Sequence, residues 1–436
     1  MTPSARLSSV IELLTDVENT SGPAEHVIKR YFKARRFAGS KDRRWITEFF
    51  YDIQRRRGEL VWLAEQGQLA PVPRSLALVG LVYLAGISVE EVESLYLSGS
   101  YAADPLSPEE KAVLVSLPDA NRDAMPLAVR GNFPDWLMDR LTASYGARME
   151  AVLQSFQDRA PFCLRVNTLK TDREEVCRIL AEDGIPCHPT EISPVGIRIE
   201  ERVNLNSHPV MERGLVEIQD EAAQIAALLA DAGPGMNVVD YCCGAGGKAL
   251  VMAATMQNTG LLRAFDINPR RMKDIAIRTR RAAVGIVQSL ALQGNDEDAE
   301  ILSRIEGEAD RVFVDAPCSG SGTWRRQPDQ RWSLTPEGLA DLVAVQADIL
   351  DTASALVAPG GRLVYATCSI LEEENASQIA AFLARHPDFE ILPVSDLWDG
   401  VGLSEAEAGQ GDFLSLTPAD YGTDGFFTAI LQRTGA

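Results

Sequence analysis

From about Gly214 onwards, short β-branched runs alternate with stretches of helical period, and this restricts that part of the chain to a doubly wound α/β sheet. The runs are Asn237–Asp240, Leu262–Asp266, Ile286–Val287, Val312–Val314, Leu363–Tyr365 and the closing Gly425–Leu431. Open sheets of this kind bind ligands beyond the carboxyl ends of their strands. Three chemically distinctive segments fall at such ends. Tyr241-Cys242-Cys243-Gly244-Ala245-Gly246-Gly247-Lys248 follows the first run, Asp315-Ala316-Pro317-Cys318-Ser319-Gly320 the fourth, and Ala366-Thr367-Cys368-Ser369 the fifth. One rim is therefore expected to carry a glycine loop and two cysteines.

The preceding chain differs in style. Leu7, Val10, Ile11, Leu14 and Val17 form a helical stripe, and Ile46, Phe49, Phe50 and Ile53 form another behind a cap expected at Ser40. Capping boxes stand at Ser88…Glu91 and Ser107-Pro108…Glu110. Residues 1–130 read as an all-helical domain, with Tyr31, Phe32, Trp45, Phe49 and Phe50 assigned to its core by their helical spacing. Gly131-Asn132-Phe133-Pro134 marks a boundary, after which a small α+β module is expected over 131–213. It contains strands at Cys163–Asn167 and Gly196–Glu200 and a helix over Asp172–Asp183. Residues 214–436 form the α/β domain.

At 436 residues the chain exceeds one ordinary core. Its longest apolar run, Leu76–Gly86, falls short of the roughly 20 residues a membrane span needs, and no secretion leader is recognisable. Seven cysteines without a regular framework point to a reduced, cytoplasmic protein, and a monomer is expected. No C-x-x-C pair occurs and the four histidines are scattered, so no metal site is expected. The net charge of −20 argues against a chain-wide grip on nucleic acid. Basic residues nonetheless cluster at Lys29–Arg57, at Arg270–Arg281, and at Arg325, Arg326 and Arg331, which suggests a local phosphate track.

The glycine loop admits several readings. A Walker phosphate loop fails, because Cys242 holds the leading glycine position and Ala249 the place of the magnesium-binding hydroxyl. Gly244-Ala245-Gly246-Gly247-Lys248-Ala249 fits a relaxed dinucleotide fingerprint, with Asp266 placed for a ribose. S-adenosylmethionine needs the same acid but brings no pyrophosphate. The loop alone leaves these open.

The cysteines discriminate. Carbon 5 of cytosine accepts a methyl group only after a thiolate has added at carbon 6, and a base must afterwards remove the carbon 5 proton. A carboxyl group near the N3 edge would stabilise the adduct. Asp315, Cys318 and Cys368 supply those residue types, whereas two inert buried cysteines would leave the pairing unexplained. With Arg325-Arg326-Gln327-Pro328-Asp329, Glu373-Glu374-Asn375, Arg165-Val166-Asn167-Thr168-Leu169, Gln219-Asp220-Glu221 and Thr423-Asp424-Gly425-Phe426-Phe427, these motifs resemble the RsmB/Sun (Nop/Sun-type) ribosomal RNA cytosine-5 methyltransferase family along nearly the whole chain.

The resemblance implies a Rossmann-like S-adenosylmethionine-dependent catalytic domain preceded by a NusB-like RNA-binding domain. It implies Cys368 as nucleophile, Cys318 assisting product release, Asp315 holding the base and Lys248 beside them. Cys242, Cys243, Gly244, Ala245, Gly246, Gly247 and Lys248 would cradle the cofactor, with Asp266 on the ribose and Arg271 and Asp315 nearby. Structured RNA, ribosomal in the first instance, is the implied partner, with transfer RNA the alternative. Two other classes, a non-catalytic RNA-binding assembly factor and a nucleotide-dependent oxidoreductase, fit the cysteine motifs less well. The chain departs from the family at Cys243-Gly244-Ala245, where Ala-Ala-Pro is usual, and at Leu292-Gln293-Gly294, where an acid is expected after the third strand. Tyr421 stands near where the family often has a histidine.

Overall fold

The computed structural model describes residues 1–20, 22–99, 101–117, 120–201 and 203–435. They divide into two compact units. One comprises Met1–Arg159 with Trp324–Leu334, the other Ala160–Thr323 with Thr335–Ala436.

The first unit is helical. Its opening helices, Pro3–Glu18, Ala24–Ala34 and Ser40–Arg55, bury the apolar stripes around Leu7, Ile28, Ile46 and Phe50. The cap expected at Ser40 falls one residue earlier, on Gly39. Both capping boxes form, Glu91 N–H donating to Ser88 Oγ at 3.2 Å and Glu110 N–H to Ser107 Oγ at 3.1 Å. Tyr31, Phe32, Phe49 and Phe50 are buried, and Trp45 packs against Phe49 with ring centroids 5.2 Å apart. Helices between 135 and 155 also belong to this unit, so the Gly131–Pro134 boundary lies inside it.

Its least expected part is Trp324–Leu334. Arg331, expected by its clustering to be a surface cation, is wholly buried. Its Nη1 donates to the Asn132 carbonyl at 2.6 Å, and its guanidinium lies 4.3 Å from the Phe133 ring centroid. Asp329 accepts the Ala24 N–H at 2.9 Å, leading the second helix. This segment is structural framework, and the phosphate track loses its third cluster as a surface feature.

The second unit holds two sheets. The smaller, antiparallel one has the order β2-β3-β1-β4, from β1 (Phe162–Val166), β2 (Cys187–Pro189), β3 (Gly196–Ile199) and β4 (Val216–Ile218). The larger contains β5 (Asn237–Asp240), β6 (Leu261–Asp266), β7 (Val287–Ala291), β8 (Ala309–Asp315), β9 (Val357–Thr367), β10 (Phe389–Ile391), β11 (Leu414–Leu416) and β12 (Phe426–Arg433). Its order is β10-β12-β9-β8-β5-β6-β7, with β11 also paired to β12. β5 to β9 pair in parallel, while β12 runs antiparallel to β9 and the last three strands pair only antiparallel. The expected doubly wound sheet is thus parallel at its centre and closed by an antiparallel edge. Val238, Val239, Val312, Phe313, Val314, Leu363, Val364 and Tyr365 are buried, as strands covered on both faces require. The chain passes from β5 outward to β7, then returns to β8 on the other side of β5. The resulting switch point lies between the ends of β5 and β8, where such sheets hold ligands.

Candidate active site

The glycine loop leaves β5 at Asp240 and enters the helix Gly247–Thr255. Gly244 and Gly246 have φ of +53° and +77°, conformations that side chains rarely adopt, and a methyl at Gly244 would stand 2.9 Å from Arg271 Nη2. At the end of β6, Asp266 accepts the Gly244 N–H at 2.8 Å and the Asn268 N–H at 2.7 Å. Arg165, in β1, braces the loop by donating to Gln219 Oε1 and to the Gly247 carbonyl, both at 2.7 Å. Asn167 likewise ties the Gly214 and Ala282 carbonyls. These two strand-end residues are therefore supports. A cavity of about 230 Å³ opens over the loop, lined by Asp240, Cys242–Ala245, Gly247, Lys248, Arg271 and Asp315, among others.

Lys248 reaches from the helix to Asp315 at the end of β8, Nζ to Oδ2 2.7 Å, with the Phe426 ring centroid 5.3 Å away. Burial pulls the lysine down, but the Asp315 charge and hydrogen bond, with Cys368 and Asp240, outweigh it and leave the ammonium favoured. Cys318 Sγ lies 3.5 Å from Cys368 Sγ. The hydrogen bond to Cys368 is the main influence raising Cys318 well above the usual thiol range, with burial and the Cys368 and Glu374 charges adding to it. Cys318 is therefore a thiol whose proton is firmly held, and Lys248 and Cys368 interact electrostatically.

Glu374 holds the two cysteine loops together. One of its oxygens accepts the Ser319 N–H at 2.8 Å and Gln346 Nε2 at 3.0 Å; the other accepts the Ser319 hydroxyl at 2.5 Å and the Ser369 hydroxyl. Ser319 and Ser369 each follow a cysteine, so one wholly buried carboxylate fixes both thiols. Backbone bonds complete the clamp, Gly322 N–H to the Cys368 carbonyl and Gly425 N–H to the Gly322 carbonyl, each 2.9 Å. There is no room for a side chain here: a methyl at Gly425 would sit 2.6 Å from Gly322 Cα, and one at Gly322 would overlap the Gly425 carbonyl. Gly322→Ala should consequently cost at least about 2 kcal/mol, since backbone must move; urea unfolding with an unchanged midpoint would refute the close contact.

All the residues expected at the site thus come to one rim, except that Cys243 is buried at 8% exposure and Gly246 serves as the left-handed cap of the following helix. Burial, then the Asp240 charge, raises the Cys242 and Cys243 thiols, so neither is an available thiolate.

Two acids were not singled out by sequence. At the Leu292-Gln293-Gly294 turn, Asp298 accepts the N–H groups of Gln293, Gly294 (2.6 Å) and Asn295 (3.4 Å), while Asn295 Oδ1 caps Asp298 N–H at 3.0 Å. The Asn295-x-x-Asp298 spacing is a capping-box variant and could have marked it. The second is Asp240, fully buried, with neither oxygen in a hydrogen bond of normal geometry. Burial, the Asp315 charge and the Asp266 charge, partly opposed by Lys248, push it up to about 8. The folded chain therefore keeps a proton that the unfolded chain loses near pH 4. Stability from this source is complete below that value and is lost as pH rises through about 8. In Asp240→Asn this loss should disappear: thermal midpoints of the ligand-free proteins should lie closest together near pH 4 and increasingly favour the variant as pH rises to about 8. An identical pH profile for both would show the carboxyl is not desolvated.

The description "16S rRNA methyltransferase RsmB/F" matches residues 227–432, and "Methyltr_RsmF/B-like, ferredoxin-like domain" matches 133–206. A ribosomal RNA small subunit methyltransferase B from Sodalis glossinidius is 31% identical over 413 residues, covering 91% of either chain. A probable ribosomal RNA small subunit methyltransferase B from Synechocystis is 29% identical, covering 90% of this chain and 91% of that protein. The solved structure of a methyltransferase homolog protein from Pyrococcus horikoshii superposes with a TM-score of 0.60 at 26% identity, over 72% of this chain and all of that one.

Proposed function

The chain belongs to the 16S rRNA methyltransferase RsmB/F family, and from that premise we propose that it methylates carbon 5 of a cytosine in small-subunit ribosomal RNA through a covalent cysteine adduct. The cofactor is S-adenosylmethionine, which when bound supplies an electrophilic sulfonium methyl group. The pocket fits it. Asp240, Asp266 and Asp315 give an acidic surround suited to a cationic donor, and both Asp266 oxygens retain a lone pair for ribose hydroxyls. Ile267, largely exposed, and Leu292 offer apolar surface next to these strand ends for a purine.

The observation that carries the reading is the sulfur pair, 3.5 Å apart at one rim, with the Lys248–Asp315 ion pair beside it. In this scheme Cys368 thiolate adds to carbon 6 of the target base and Asp315, paired with Lys248, bonds the ring's N3 edge. Once the Cys368 charge has passed into the new carbon–sulfur bond, the main reason for Cys318 to keep its proton is gone. Cys318 can then give its own proton to solvent and, as the thiolate, take the proton from carbon 5, and the electrons of that C–H bond expel Cys368 as its thiolate. The base must be unstacked to reach this pair.

RNA carrying 5-fluorocytosine tests the scheme, because fluorine cannot leave as a proton and the adduct persists. Incubation with RNA and cofactor should give a denaturant-resistant complex. A folded protein that binds the RNA and never forms one would favour the RNA-binding assembly factor.

A further inference from the structure

The two rim sulfurs have chemistry open to them besides methyl transfer. Cys318 Sγ and Cys368 Sγ stand 3.5 Å apart, and a disulfide bond is about 2.0 Å long, so a modest rotation of the two side chains would join them. Their loops leave neighbouring parallel strands, paired at Asp315 and Ala366. Glu374 grips Ser319 and Ser369, the residues that follow the cysteines, so the sulfurs are not free to separate. Both thiols are only half-buried, which leaves them open to a small solute.

A reactive thiol standing idle at an open rim between turnovers is a target for peroxide. Its first product, a sulfenic acid, goes on to irreversible sulfinic acid unless another thiol intercepts it. We propose that Cys318 is the resolving cysteine of Cys368, so that hydrogen peroxide converts the pair to an intramolecular disulfide that halts methyl transfer until a dithiol reduces it. The disulfide rests on the sulfur geometry alone; its effect on activity rests on the reading of this pair as the methyl-transfer centre.

The steps balance. Cys368 thiolate attacks the peroxide O–O bond and keeps one oxygen as S–OH; the other leaves as hydroxide and is protonated to water. Once Cys368 carries that oxygen, its charge no longer opposes ionisation of Cys318. Cys318 gives its proton to solvent, its sulfur bonds to Cys368 Sγ, and the S–O bond breaks to release hydroxide, which becomes a second water. Two thiols have lost two electrons and two protons, and one peroxide has been reduced to two waters. Contact between the sulfurs makes the second step intramolecular, so it outpaces attack by a second peroxide.

The test treats the reduced full chain with hydrogen peroxide and reads intact mass, mapped peptides and adduct formation with 5-fluorocytosine RNA. The product should be lighter by about 2 Da per disulfide, with peptides joined through Cys318 and Cys368. Mapping separates this bond from one between Cys177 and Cys187, which also neighbour each other. Adduct formation should fall at least about tenfold and return in full with dithiothreitol. In Cys318→Ala, read by the chemistry of Cys368 and not by activity, dimedone should capture the sulfenic acid, and longer exposure should give sulfinic acid that dithiothreitol does not reverse. Sulfinic acid on Cys368 of the native protein, dimedone capture there at the yield seen in the variant, or a bond from Cys368 to any other cysteine overturns the assignment; the native protein decides this without a folded variant. A mapped Cys318–Cys368 bond in a protein whose reduced form never gives an RNA adduct upholds the disulfide and defeats the methylation reading.

Discussion

With cysteine 368 changed to alanine, no covalent RNA forms and methyl transfer falls by at least about four orders of magnitude, because no other thiol near the ring is available as an anion. Cys318 does not substitute: with Cys368 gone its strongest influence is lost, but burial and the Glu374 charge still oppose its ionisation. Cys318→Ala has a different outcome. Cys368 still attacks, but nothing removes the carbon 5 proton, so the enzyme accumulates on unmodified RNA as a complex that survives denaturing gels and is broken by base removal. Gel mobility of both variants with natural RNA and cofactor reads the two together. Trapping by Cys368→Ala, or none by Cys318→Ala, would mean the roles are exchanged.

Glu374→Ala should be the most damaging change outside the thiols themselves. Its carboxylate accepts from Ser319 twice, from Ser369 and from Gln346, the last two buried and Ser319 half-buried. Truncation strands several buried donors at about 1–3 kcal/mol each, so a loss of stability of at least about 3 kcal/mol is expected. Activity should drop further than stability explains, since the thiols lose the common anchor that holds their sulfurs 3.5 Å apart. Glu374→Gln keeps the shape and one acceptor, and should recover part of the stability while adduct formation stays slow. If Glu374→Gln matched the native rate of adduct formation, the charge would have no part in positioning the pair.

The readability of these features follows from the range of the forces behind them. Strands β5, β8 and β9 are visible in sequence because burial on both faces demands continuous β-branched runs, and the loops that follow them inherit a position on the rim. Convergence of Cys318 and Cys368 is legible for the same reason, as they follow neighbouring strands. Which acid of Glu373-Glu374 turns inward is not legible, because it depends on how the chain turns after β9 toward Ser319, 55 residues away. Asp240 is recognisable as a strand end, yet its desolvation and the charges upon it come from β6, β8 and the following helix. Arg331 shows the limit of charge patterns: three arginines in seven residues look like a phosphate surface, and only the packing of Phe133, Phe156 and Trp324 around one of them reveals a core residue. Nothing local in the Arg325–Arg331 stretch signals that it completes a different unit from the residues on either side.

That borrowed stretch bears on how the protein is born. A helical unit whose interior includes Arg331 and whose second helix is led by Asp329 stays unfinished when its own first 159 residues have been made. The missing piece is translated roughly 175 residues later, which at ordinary elongation speeds is a wait on the order of ten seconds or more. The part of the chain that leaves the ribosome first is therefore among the last to close, and a gene fragment cut at residue 159 would encode a unit with a hole where its keystone belongs.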